Sequence, residues 1–92
     1  MLPVDALRAE LAQLRRARRV RIAVLGRTLS PPEDFDGVWI AAQQDALRYA
    51  HDLYAHLRTL DAADADAILI EAVPDEPAWL AVRDRLTRAT HG

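Results

Sequence analysis

Ninety-two residues, 51% hydrophobic and 28% charged, are the balance of a chain that folds around one core. The absence of cysteine excludes disulfides and thiolate chemistry. No run of about 18 apolar residues occurs, and Arg8, Glu10 and Arg15 interrupt any N-terminal leader, so the expectation is a cytoplasmic chain without a membrane segment. The net charge of -2 hides an asymmetry. Residues 1–27 carry seven Arg against Asp5 and Glu10, or +5, and the remainder carries five Arg against twelve acids, or -7. Neither Lys nor Asn is present, and the Ala-rich composition points to GC-rich coding more than to selected chemistry.

In chain order, Leu7, Leu11 and Leu14 form one stripe of a helix over 3–16. Its basic end, with Arg15, Arg16, Arg18 and Arg19, suits the negative end of the helix dipole. An RNA-phosphate patch is the sharper reading, disfavoured because no aromatics are interleaved and the chain is acidic overall. The run VRIAVLG predicts a strand over 20–26 covered on both faces, GVWIAA a strand over 37–42, and AILIEAV a strand over 67–73. Between the first two, Ser30 with Glu33 and Pro31 predicts a single helical turn. Ala46, Ala50, Leu53, Leu57 and Leu60 alternate spacings of four and three, which predicts a helix over 43–63. A last helix over 77–89 would bury Trp79, Val82, Leu86 and Ala89, with Leu80 beside the stripe. Strands alternating with helices predict an α/β fold: one Rossmann-like three-layer domain over 1–92, with a short, mostly parallel three-stranded sheet and helices on its faces.

Catalytic chemistry finds little support in these residues. Gly26 alone stands where a phosphate-binding turn would be Gly-rich, and Asp75 and Glu76 would compete with phosphate at the last helix. His51 and His56 are five apart, about 140° around a helix, and His91 belongs to the C-terminal tail, so no metal site is expected. His51 beside Asp52 reads as solvated surface, because adjacent helical residues diverge. Trp39 and Trp79 lie within apolar patterns and read as core. Glu71 stands inside the third strand, either in a half-buried ion pair with Arg85 or at a strand end in water. The ion pair would make Arg85→Met cost well over about 1 kcal/mol.

Residues 49–90 carry a set of motifs: LYxxLRxLD at Leu53, Tyr54, Leu57, Arg58, Leu60 and Asp61, ADxIxxE at Ala65, Asp66, Ile68 and Glu71, and DRLxRA at Asp84, Arg85, Leu86, Arg88 and Ala89. In these the chain resembles the C-terminal domain of the long form of threonylcarbamoyl-AMP synthase, in the Sua/YciO/YrdC family. The agreement extends through VRIAVLGR to about the last three-quarters of the chain. The resemblance implies an accessory or regulatory module linked to tRNA threonylcarbamoyladenosine modification. In the family a separate YrdC-like domain joins threonine, bicarbonate and ATP. That domain's K-x-R and Ser/Thr/Asn motifs have no counterpart in a chain without Lys or Asn, and the family's His-Tyr-Ala-Pro linker and first strand of this domain are also missing. The resemblance therefore implies no enzyme activity of the chain alone, no catalytic residue, and ATP only through the absent domain. It leaves open an excised domain or a stand-alone relative. Tyr54, Arg58, Asp61, Glu71 and Arg85 are the implied structural or interface residues. A YrdC-like catalytic domain is the implied partner. A homodimerisation module that pairs an open sheet edge is the alternative, and an RNA-binding adaptor the weaker one.

Overall fold

A computed structural model describes residues 1–17 and 20–91, with the side chain of His91 outside the description. Arg18 and Arg19 of the basic cluster therefore lie outside the described residues. The elements in order are α1 (Val4–Arg16), β1 (Ile22–Gly26), β2 (Val38–Ala41), α2 (Ala46–Ala62), β3 (Ala67–Ile70) and, after a 3₁₀ turn at Pro77–Trp79, α3 (Leu80–His91).

The sheet is wholly parallel, in the order β2-β1-β3. Every residue of β1 is buried, as expected of a central strand with layers on both sides. Alternation along the strands sorts the core into two. Ile22, Val24 and Leu69 meet Leu7 and Leu11 of α1 on one face. Ala23, Leu25 and Ile70 meet Tyr49, Leu53 and Leu60 of α2 and Val82 and Leu86 of α3 on the other. The three-layer α/β architecture read from the sequence is thus the observed one.

Element bounds shift for identifiable reasons. The α2 helix starts at Ala46 because the Asp45 carboxylate accepts from the Arg48 amide at 3.2 Å, a side-chain N-cap that leaves Gln43 and Gln44 outside. Tyr49 takes the inward place that the periodicity assigned to Ala50, which is exposed. Burying a tyrosine ring removes far more apolar area from water than burying a methyl group. The β1 strand begins at Ile22, where the Arg21 amide donates to Asp66 Oδ2 at 2.8 Å. No helix forms after Ser30: the segment has only a turn in which the Phe35 amide donates to the Pro32 carbonyl at 3.1 Å. Pro31 precedes Pro32, and the residue before a proline is driven out of the α region. The last helical segment opens as a 3₁₀ turn, with Pro77 at its start.

Trp79 is buried, edge-on to Tyr49 at 5.3 Å between ring centroids. Trp39 is half-buried on the α1 side, edge-on to Phe35. Both tryptophans therefore pack where the sequence reading put them.

Candidate functional site

Two places gather the polar residues singled out in the sequence. The first is a groove of about 620 Å³ between the C-terminal halves of α2 and α3 and the Ile68 and Ile70 face of β3. Leu57, Leu60, Ile68 and Ile70 supply its apolar lining. Tyr54, Arg58, Asp61 and Arg85 all line it, joined by Arg88. Four of the five candidate residues are thus brought together by two helices that the sequence alone could not orient. Tyr54 is 62% exposed and Ile68 44%, so the groove presents apolar surface to its visitors. Arg85 lies over the Tyr54 ring at 4.7 Å from the centroid, and Arg58 reaches the same ring at 5.9 Å. Three guanidinium groups against Asp61 make the lining net cationic in a chain that is net acidic.

Glu71, the fifth candidate, is elsewhere, and both readings of it are corrected. It is 2% exposed, so it does not end the strand in water. Nor does it pair with Arg85, which is occupied by Tyr54. Its Oε1 accepts from the backbone amides of Arg27, Thr28 and Leu29 at 2.9, 3.0 and 3.0 Å, and its Oε2 accepts from the Thr28 hydroxyl at 2.7 Å. The strand carries Glu71 to the end of β3 just where the chain leaves β1, and the turn after β1 wraps the carboxylate. Arg85→Met is accordingly expected to cost no more than about 1 kcal/mol, the loss of an exposed cation–π contact. Urea unfolding checks this, and a larger loss would mean that Arg85 has a buried partner.

Around Glu71 the side chains are tightly coupled. Arg27 donates from Nη1 to the Gln44 carbonyl at 2.8 Å and lies over Trp79 at 5.1 Å. Burial, reinforced by the negative charge of Glu71 and opposed by Arg27, pushes the Tyr49 hydroxyl up to about 12. The folded state thus favours neutral Tyr49, a contribution intact below the ordinary value of 10.0 and lost as pH rises through about 12. Spectrophotometric titration is expected to show one late-ionising tyrosine that disappears in Tyr49→Phe. If Tyr49→Phe leaves the late-ionising phase in place, or no such phase is seen, the Tyr49 hydroxyl is not shielded as described.

The remaining candidates have simple places. His51 contacts Asp52 at 3.0 Å on the exposed side of α2. Asp75 is paired with Arg83. Arg15 of the basic cluster pairs with Asp34 at 2.6 Å and the nearby Arg21 reaches Asp64 at 3.4 Å, so both already face acids. Among the described residues, no group of three or more His, Cys, Asp or Glu gathers to hold a metal ion, and no helix is long and apolar enough to cross a membrane. Arg27, Tyr49 and Gln44 were missed in the sequence. Only the strand position of Glu71 hinted at this cluster, since a buried acid demands donors.

A three-layer parallel α/β domain with an Arg-rimmed groove and an inward carboxylate at its strand ends is the class that fold and site define. The sequence pattern of the family described as threonylcarbamoyl-AMP synthase, C-terminal domain, matches residues 3–91, and the chain belongs to that family. The match is wider than the three-quarters covered by the motifs, because it takes in α1. No curated protein and no solved structure matches the chain.

Proposed function

We propose that this chain is a non-catalytic accessory domain of threonylcarbamoyl-AMP synthesis, the cytoplasmic chemistry that feeds tRNA threonylcarbamoyladenosine modification, and that it acts by binding a YrdC-like catalytic domain through the α2–α3 groove. Family membership over 3–91 supports the link to that pathway. The observation that carries the choice of surface is the convergence of Tyr54, Arg58, Asp61 and Arg85 on one exposed groove, although they come from two segments far apart in sequence. Stacked arginine and tyrosine over an apolar floor is the composition from which binding hot spots are built. ATP and threonine would then be handled by the catalytic domain, and this chain would hold neither.

Calorimetric titration of the chain with a separately produced YrdC-like catalytic domain, with and without ATP and threonine, tests this. Saturable binding is expected, weakened about tenfold or more by Tyr54→Ala or Arg85→Glu, equivalent to about 1.4 kcal/mol. Absence of any complex would sink the reading.

One observation favours a second reading, self-association. β3 is an edge strand among the described residues: its outer side meets only Leu2, whose amide donates to the Ile70 carbonyl at 2.9 Å and which forms an isolated parallel bridge with Glu71. The edge at Ala67–Leu69 has backbone groups to offer another strand. Sedimentation at several concentrations decides this, and a monomer throughout removes it.

A further inference from the structure

The turn that leaves β1 has the makings of an anion receptor. Three successive backbone N–H groups, of Arg27, Thr28 and Leu29, converge on the single oxygen Oε1 of Glu71. Successive amides aimed at one point form a nest, the concavity that holds phosphates and other anions in many proteins. The Thr28 hydroxyl adds a fourth donor, to Oε2. The position matters as much as the donors. The nest lies at the carboxyl end of the central strand of a parallel sheet, beside the end of β3, where open α/β sheets bind ligands and where Rossmann-type folds hold phosphate in the turn after the first strand.

What fills the nest belongs to the chain itself. The Glu71 side chain is 2% exposed and presents two anionic oxygens to donors that would equally suit an oxyanion from solution. Nearby, Arg27 Nε is buried with no hydrogen-bond partner, a spare donor on the same turn. We propose that the 27–29 turn is an oxyanion receptor kept shut by its own resident anion, so that Glu71 occupies the phosphate position of the fold and a tetrahedral oxyanion enters only when that carboxylate is removed. The receptor thereby serves to tie the end of β3 to the loop after β1, and phosphate-bearing ligands are excluded from the crevice. This inference is independent of whether the groove binds a catalytic domain.

The test compares thermal unfolding of wild type, Glu71→Ala and Glu71→Gln in sodium phosphate and in sodium chloride at matched pH and ionic strength. Phosphate stabilises proteins generally by exclusion from their surfaces, so the wild-type difference between the two salts is the baseline. Glu71→Ala opens the nest and is expected to gain a saturable, phosphate-specific rise of several degrees above that baseline, as binding to the native state requires. Glu71→Gln keeps the space filled and is expected to follow the baseline. If Glu71→Ala is unfolded in chloride, the same binding appears as recovery of helical circular dichroism on adding phosphate. The proposal is overturned if Glu71→Ala, folded or unfolded, responds to phosphate no more than wild type does. An equal response from Glu71→Gln also overturns it, because phosphate would then be acting elsewhere.

Discussion

Glu71→Ala is expected to lower the free energy of unfolding by about 3 kcal/mol or more in chloride buffer, a large part of the stability of a domain this small. The change leaves the amides of Arg27, Thr28 and Leu29 and the Thr28 hydroxyl without their common acceptor. Charge-assisted hydrogen bonds of this kind are roughly twice as strong as neutral ones, and each orphaned donor adds its own desolvation cost. Glu71→Gln keeps one carbonyl oxygen and loses the charge, for which about 2 kcal/mol is expected.

The dependence on pH identifies the carboxylate as the cause. Burial raises the pKa of Glu71, but the Thr28 hydroxyl and the amides of Arg27, Thr28 and Leu29 together outweigh it and hold the group below its ordinary 4.5. A folded-state value below the unfolded one means stability that is present above pH 4.5 and is lost as pH falls through the lower folded value. Wild type should therefore lose more stability than Glu71→Gln between pH 7 and pH 3. Denaturant midpoints for the two proteins should draw together as the acid titrates. A gap that stays constant across that range would show that the ionised carboxylate is not the acceptor.

Gly37→Ala should be about as damaging as emptying part of the core, with a loss of about 3 kcal/mol, although Gly37 itself is exposed and only precedes a short strand. A Cβ at this position would overlap the backbone oxygen of Ile22 and come within 2.8 Å of Phe35 Cζ. Ile22 begins the buried central strand, so its carbonyl has nowhere to move. β2 would have to slide away from β1, disturbing the pairing that starts at Ala23 and Val38. Among the described residues no glycine has a positive φ, so the cost is steric. Asp36→Ala, one residue earlier and exposed, provides the control and should fall within about 0.5 kcal/mol of wild type. Equal midpoints for the two variants in urea would mean that the β1–β2 contact is looser than the structure has it.

Much of the architecture was legible because the periodicities are unambiguous. The wholly apolar, β-branched run at Ile22–Gly26 suits a strand that has layers on both sides, and Leu53, Leu57 and Leu60 place a helix against it. Local competition explains the errors. The Ser30 and Glu33 pattern reads as a helix cap until the Pro31–Pro32 pair is considered, and the stripe through Ala50 overlooks the larger Tyr49 one position earlier. The motif residues were also legible as a set, but their common groove was not, since it depends on how α2 and α3 lie against β3.

By itself the sequence determined a small parallel α/β domain of the threonylcarbamoyl-AMP synthase C-terminal family, because hydrophobic period and motif spacing are local properties of the chain. Tertiary structure alone decided what the isolated acid in the third strand does. From the sequence, Arg85 is a reasonable partner for Glu71, because charge suggests attraction and helix α3 follows closely. The fold instead carries Glu71 to three backbone amides and a hydroxyl more than forty residues earlier, and Arg85 to the face of Tyr54. Backbone amides are present in every segment and leave no mark in a sequence, so a receptor built from them becomes visible only when the chain is folded.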